Sequence, residues 1–487
     1  MKKENSSHFR RSDLLILGFI LFTALIFRLY KINTPLADLH SWRQVDTAAV
    51  ARNFVRGGFD LMHPRYDDLS SIETGIENPQ GYRFVEFPFY NAVFALIYKV
   101  LPVLPLEVYG RLTSVFFSLI IIAIVYYLAL KESSRITAIV AALTYAVMPF
   151  FVFFSRTVLP ETLALSLALI SIFLLYLRFT ARTSWKAGLA FIFSIIGFAL
   201  ALLVKPTVIF YTLPLMLIFW QHYQIGILKK PLFYIYFILA FIPLILWRNY
   251  IRQFPEGIPA STWLIANVNT FEGQKNIFFR PAFFRWIFFD RLNNLILGGY
   301  LSFLFILGVI SKTKKYLFLT LLLAAFVYLF TFQGGNVQHE YYQTLILPAI
   351  AIFIGLGVNS LIKNSRNYMV LPSVIIVTAT FIFSFFFSYY NVKNYYNYPN
   401  DLLQMARIID ALTNPEDKII TDRSGDTTLL YLADRRGSPA NYKSLTDFKN
   451  MGYAYFISAN QETIESTKKE NKYSLVFENN QFALFKL

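Results

Sequence analysis

Long, nearly charge-free apolar stretches recur along this chain, among them 14–27, 136–154, 187–204 and 373–388. Each is long enough, or nearly so, to cross a bilayer as a helix. With 56% hydrophobic and only 15% charged residues the chain is too apolar for a soluble domain of 487 residues, so a membrane must solvate most of it. Lys2, Lys3, Arg10 and Arg11 precede the first apolar run, which lacks the small-residue site of a cleaved leader and reads as a retained span. The chain has no cysteine, which excludes disulfides and thiolate metal sites. Its net charge of +16 suits basic cytoplasmic loops and phospholipid headgroups better than nucleic acid, which is not an expected partner.

Further apolar segments lie at 88–104, 111–130, 161–178, 206–221, 231–247, 296–311, 316–332, 342–362 and 368–388. If 88–104 crossed, the short basic loops after it would fall outside, against the tendency of Lys and Arg to stay cytoplasmic. Laid along the outer interface, it places Lys131–Arg135, Arg178–Lys186, Lys229–Lys230, Lys312–Lys315 and Lys363–Arg366 inside. Pro88, Pro102 and Pro105 at its ends suit an interfacial helix. The expectation is an all-α polytopic membrane domain (1–394) of about eleven transmembrane helices, with interfacial helices in its first outer loop. The outer loops are 31–87 and 248–295, and residues 395–487 form a small soluble α/β domain outside, with strands near 418–421, 453–458 and 482–487.

The polar residues that could carry chemistry gather in the outer segments. The first loop contains Asp38, His40 and the run Ser41-Trp42-Arg43-Gln44-Val45-Asp46-Thr47 opening a helix-like stretch, so Arg43 and Asp46, three apart, share a face. A carboxylate held beside an arginine stays ionised, as a base must, although a surface ion pair on an amphipathic helix would look the same. Glu86 interrupts an aromatic run beside the bilayer and would orient a base, bind a cation, engage a sugar hydroxyl, or simply serve the helix dipole. Arg156 at the corner before Pro160-Glu161 suits a headgroup or a phosphate, and Glu161 suits a helix first turn. Lys205-Pro206 forms another outer corner, and Gly334-Gly335 precedes His339-Glu340-Tyr341-Tyr342. The loop 248–295 carries Arg252, Lys275, Arg280, Arg285 and Arg291, a basic surface for phosphate or acidic headgroups. No paired-histidine, P-loop or dinucleotide pattern occurs, so no metal site is assigned and a soluble nucleotide donor has no cradle.

In order and placement these motifs resemble the GT-C class of membrane glycosyltransferases, in particular bacterial relatives of protein O-mannosyltransferases and of the lipid A aminoarabinose transferase. The resemblance rests on the loop His40–Thr47, the Glu86-Phe87-Pro88 step, Tyr109-Gly110-Arg111, Leu159-Pro160-Glu161 and His339–Tyr342 ahead of Pro348. It implies a polyprenyl-phosphate sugar donor, a lipid, glycan or protein acceptor, an active site on the extracytoplasmic side of the cytoplasmic membrane, and a catalytic aspartate in the first outer loop. The class's adjacent Asp-Glu pair is absent, which leaves Asp46 and Asp38 as candidates for the base. His40, Arg43, Glu86, Arg156, Glu161, Lys205, His339 and Tyr341 are the implied substrate-binding residues, with a divalent cation an optional participant. A transporter or flippase of a lipid-linked substrate is the competing class, but transporters hold their polar residues near the bilayer midplane, whereas here span interiors are almost uncharged.

Overall fold

The computed structural model describes residues 9–181, 183–259, 279–311, 316–365 and 367–487. Lys2, Lys3, Lys275, Lys312–Lys315 and Arg366, expected in basic segments, lie outside the described residues. The chain divides into two compact units: one formed by Met1–Ile32, Arg111–Trp247 and Thr262–Tyr395, the other by Asn33–Gly110, Arg248–Ser261 and Tyr396–Leu487.

The first unit is helical. Among the described residues of the whole chain, seven helices are long and apolar enough to cross a membrane: Arg11–Leu29, Leu106–Glu132, Glu161–Thr180, Ser184–Val204, Pro231–Ile251, Glu340–Asn364 and Val370–Leu412. An eighth is reached if the pair Pro281–Ile296 and Leu301–Ile310, bent by 116°, is one span. The difference from eleven lies in segments that are apolar but broken or short, and proline and glycine account for most of the breaks. The apolar run 136–154 divides into Arg135–Val147 and Pro149–Phe154, because Pro149 has no N–H and drives Met148 out of the helical region. Pro206 likewise opens a 3-10 turn, Pro206–Tyr211, before the 12-residue helix Thr212–Tyr223. The 116° bend falls at Gly298 and Gly299, both at positive φ, and a Cβ on Gly298 would stand 2.1 Å from the Ser384 carbonyl oxygen. Tyr316–Thr331 has only 16 residues.

Large apolar side chains such as Phe19, Leu246 and Phe386 are exposed on these helices, as hydrocarbon contact requires. Polar groups inside the unit are instead matched across helices. Ser171 donates to the Ser194 carbonyl at 2.7 Å and shares a 2.6 Å hydrogen bond with the Tyr236 hydroxyl. Asp13, in the first helix, accepts from Arg135 at 2.7 Å and from Tyr126 at 3.0 Å. The chain is a multi-pass integral membrane protein.

The second unit joins residues 33–110 and 248–261 to the carboxy-terminal residues 396–487. Five strands, β1 (Lys418–Thr421), β2 (Gly437–Ser438), β3 (Tyr453–Ser458), β4 (Ser474–Glu478) and β5 (Ala483–Lys486), form a mixed sheet in the order β2-β1-β3-β5-β4. β1 runs parallel to both neighbours, and β5 pairs antiparallel with β3 and β4. Alternation along each strand fills two cores. Ile419, Ile457 and Leu484 face Leu402, Met405 and Ile409 of the helix Asn400–Leu412, while Ile420, Phe456 and Phe485 face Phe448 and Ile464.

The loop residues 67–69 add to the free edge of β2: the Gly437 N–H donates to the Asp67 carbonyl at 2.9 Å, and the Gly437 carbonyl accepts from the Leu69 N–H at 2.7 Å. Only glycine fits there, since a Cβ on Gly437 would lie 1.8 Å from the Ile419 carbonyl oxygen. Bidentate Arg56–Asp434 contacts at 2.8 and 2.5 Å, and Arg52 stacked 4.3 Å over the Tyr431 ring, hold the helix Ser41–Gly57 to the same domain. Phe89–Val100, at 12 residues, is too short to cross a bilayer, consistent with reading 88–104 as non-spanning.

Candidate active site

In the second unit, the helix Ser41–Gly57 begins after His40, whose φ of 56° turns the chain sharply into the helix. Its first two turns are buried, including Arg43, Gln44, Asp46 and Thr47. The expectation that Arg43 stands beside Asp46 holds for their common face but not for their bonding. Arg43 forms its ion pair with Glu86, and Asp46 forms its own with Arg83, 2.7 Å between Nη2 and Oδ2. Two side chains three apart on the helix are thus matched, with opposite sign and in reverse order, by two side chains three apart on segment 83–86. Glu86, expected as an isolated carboxylate in an aromatic run, is therefore neutralised.

Arg83 is delivered by a local turn. In Asn78-Pro79-Gln80-Gly81 the Gly81 N–H donates to the Asn78 carbonyl at 2.8 Å, and the Asn78 side chain both accepts from Tyr82 N–H at 2.8 Å and donates to its carbonyl at 2.9 Å. The strand-like return pairs Tyr66 N–H with the Gly81 carbonyl at 2.7 Å and Arg83 N–H with the Pro64 carbonyl at 2.9 Å. Arg83 then lies 4.7 Å over the Tyr66 ring and bridges Asp46 and Glu73. Asp68 is buried close by, with the Tyr66 hydroxyl 3.4 Å from its Oδ2.

The remaining Asp46 oxygen accepts from the Thr427 hydroxyl at 2.6 Å. Thr427 belongs to the carboxy-terminal domain, immediately ahead of the helix Thr428–Leu432, whose first N–H is capped by Asp426 at 2.8 Å. Burial raises the Asp46 carboxyl to about 6; Arg83 pulls against that rise, Glu73 adds to it, and Thr427 and Arg43 oppose it. Burial, followed by the charge of Glu73, lifts Asp68 to about 8. At neutral pH Asp46 is therefore ionised yet more basic than a surface aspartate, while Asp68 carries its proton. Asp38, also buried, accepts from the Gln44 amide at 2.7 Å through Oδ1.

Four of the expected residues meet in the first unit. The Lys205 ammonium lies 2.6 Å from a Glu161 carboxylate oxygen and sits 5.3 Å over the Tyr342 ring and 5.9 Å over Tyr341. The Tyr341 and Tyr342 rings stack at 4.7 Å, and His339 stacks on Tyr341 at 5.4 Å. Arg291, from the basic loop, is paired with Glu340 and donates to the Val337 carbonyl at 3.1 Å. Arg156, expected at a headgroup or phosphate, is buried and donates to the carbonyls of Tyr30 and Lys31 at 3.2 and 2.9 Å. Arg252, Arg280 and Arg285 are exposed. Among the described residues no group of three or more His, Asp or Glu side chains is disposed to hold a metal ion.

Sequence reasoning missed Arg83, Glu73, Asp68 and Thr427. Arg83 lay three residues from the singled-out Glu86, and an opposite charge at that spacing was the available signal. Thr427, 381 residues from Asp46, left none.

Across almost its whole length the chain superposes on solved structures. ArnT from Cupriavidus metallidurans bound to undecaprenyl phosphate matches with a TM-score of 0.67 at 13% identity, covering 98% of each chain. The chain has the GT-C glycosyltransferase fold. The apo state of the same ArnT gives 0.64 at 12% identity over 97% of each chain. The archaeal oligosaccharyltransferase AglB from Archaeoglobus fulgidus, in complex with an inhibitory peptide and a dolichol-phosphate, gives 0.56 at 12% identity over 92% of this chain and 69% of AglB. Residues 86–247 match the family model described as dolichyl-phosphate-mannose-protein mannosyltransferase. No curated protein matches the chain by sequence. The matched interval carries Glu86, Arg156, Glu161 and Lys205, whereas Asp46 and Thr427 fall outside it.

Proposed function

We propose that the protein transfers a sugar from a polyprenyl-phosphate donor to a lipid, glycan or protein acceptor at the extracytoplasmic face of the cytoplasmic membrane. The observation that carries this reading is the Asp46 carboxylate: buried, anchored by Arg83 and Thr427, and shifted to about 6. A general base works best when ionised at the working pH yet close to it in pKa. Each Asp46 oxygen makes one hydrogen bond or ion contact and keeps lone-pair capacity for an incoming proton. The reading draws further support from the GT-C fold and from the solved relatives, whose ligands are polyprenyl phosphates.

In the proposed reaction an acceptor hydroxyl or amine attacks the anomeric carbon, its proton passes to Asp46, and the bond to the donor phosphate oxygen breaks with inversion. The polyprenyl phosphate leaves as an anion and needs charge stabilisation rather than a proton. Arg43, on the same helix face as Asp46 and paired there with Glu86, is one candidate for that role. Arg156 and Lys205 are the other candidates, but Arg156 is turned to main-chain carbonyls and Lys205 is matched by Glu161. His40 and Glu86 are assigned to the substrates in the second unit, and Glu161, His339 and Tyr341 in the first. Asp38 is the alternative base.

The test is sugar transfer from a panel of polyprenyl-phosphate sugars to crude membrane acceptors, comparing wild type with Asp46→Asn and Asp38→Asn at equal folded yield. Loss confined to Asp46→Asn supports the assignment, and loss confined to Asp38→Asn moves the base there. If folded wild type consumes no donor, the transferase reading gives way to transport of a lipid-linked substrate.

A further inference from the structure

Buried polar atoms that meet no partner are uncommon, because each bears its full desolvation penalty without return. Within the first unit several such atoms occur. Gln333 is fully buried and neither its amide oxygen nor its amide nitrogen has a hydrogen-bond partner; the same holds for the Thr207 and Thr344 hydroxyls and the Gln343 amide oxygen. Glu161 offers one oxygen to the Lys205 ammonium and leaves the other unmet.

A set of contacts ties these side chains into one neighbourhood. Thr207 follows Lys205 in the turn Pro206–Tyr211, and the Tyr211 hydroxyl donates to the Leu345 carbonyl at 2.6 Å, beside Thr344. Gln333 opens the short helix Gln333–Gln338 and shares a face with Asn336, whose carbonyl accepts from the Gln343 amide at 2.8 Å. The Tyr328 hydroxyl donates to the Tyr342 carbonyl at 3.0 Å, and its ring lies 5.7 Å from that of Phe210. Lys205 covers the stacked rings of Tyr341 and Tyr342.

We propose that this cluster is the seat of a neutral, hydroxyl-rich monosaccharide unit, and that it does not seat the phosphate. Amide and hydroxyl groups that both give and take hydrogen bonds, one spare carboxylate oxygen and a flat aromatic stack complement a sugar ring and its hydroxyls. A phosphate finds no net positive charge here: Lys205 is compensated by Glu161, Arg291 by Glu340, and the spare Glu161 oxygen repels an anion. The seat rests on the transferase reading only in taking the sugar to be the one carried by the lipid donor. It adds Gln333, Thr207, Gln343 and Thr344 to the binding residues.

The test compares full-length wild type, in detergent, with Gln333→Leu, Thr207→Val and Thr344→Val. These replacements keep size while removing the unmet groups, so the ligand-free melting temperature is expected to stay level or rise by about 1–2 °C. Free neutral pentoses and hexoses are expected to raise the wild-type melting temperature but not that of the variants. Affinity for sugar-loaded polyprenyl phosphate is expected to fall at least about tenfold, with bare polyprenyl phosphate within about twofold of wild type. A melting temperature several degrees lower with sugar binding intact would show that the groups serve the fold and overturn the proposal. Equal losses for loaded and bare lipid, or stabilisation of wild type by sugar phosphates alone, would assign the cluster to phosphate and overturn it as well. Stabilisation by free sugars in a protein that transfers nothing would sustain the seat and reject the transferase reading.

Discussion

Replacing Arg83 by glutamine is expected to move the acidic limb of kcat/KM upward. Arg83 Nη2 lies 2.7 Å from Asp46 Oδ2 in a buried setting and is the strongest of the groups that hold the Asp46 carboxyl down against burial. An opposite charge at such range lowers a carboxyl by about 1–3 units, so its removal carries the Asp46 value from about 6 to about 7–9. At pH 7 the ionised share of Asp46 then falls from about nine-tenths to between about half and one-hundredth, and the rate falls about 2- to 100-fold. The loss is expected to recover by about pH 9–10, which separates it from misfolding.

Glu73→Gln supplies the opposite sign. Glu73 raises the Asp46 value and shares Arg83 with it, so its neutralisation moves the limb downward. Thr427→Val removes a hydrogen bond to the ionised form and moves the limb upward, with Thr427→Ser restoring it. Thermal unfolding against pH gives a readout that needs no substrate. The folded value, about 6, lies above the ordinary 3.8, so the carboxyl's contribution to stability is fully present below 3.8 and is lost as pH rises through 6. In Arg83→Gln that loss shifts to higher pH. A limb that ignores all three substitutions, or moves the same way for Arg83→Gln and Glu73→Gln, would refute Asp46 as its origin.

Asp46→Asn is expected to lower transfer by about 10²–10⁴-fold with the melting temperature held, measured by donor consumption. Gly437→Ala drives a Cβ into the Ile419 carbonyl and is expected to destabilise the carboxy-terminal sheet by at least about 1–3 kcal/mol, seen as a lower melting temperature and earlier proteolysis of that domain. Lys205→Met leaves the buried Glu161 carboxylate uncompensated and is expected to cost about 3–5 kcal/mol; the double variant Lys205→Met/Glu161→Leu is expected to recover most of it, which a melting comparison of the three proteins checks.

Much of the membrane unit was legible because its signal is local. Apolar runs of bilayer length became the helices Arg11–Leu29, Ser184–Val204 and Pro231–Ile251 within a few residues of their sequence bounds. The strands at 418–421 and 453–458 likewise coincide with β1 and β3, since alternation over a few residues is enough to mark them. Prolines at 149 and 206 and the glycines at 298 and 299 stood in plain view, but whether such residues kink a span or end it depends on the neighbours that receive the freed backbone groups.

By itself the sequence determined the membrane class of the chain, most of its long helical spans, three strands of the last domain, and that Arg43 and Asp46 share a helix face. These follow from period and length, which are properties of neighbouring residues. Only the tertiary structure decided that Arg43 answers Glu86 while Asp46 answers Arg83, and that Thr427, on a domain 381 residues away, holds the same carboxylate. A buried charge is stabilised by whichever opposite charge and hydrogen-bond donor the fold brings within about 3 Å, and that choice is made by the closure of long loops, about which spacing along the chain carries no information.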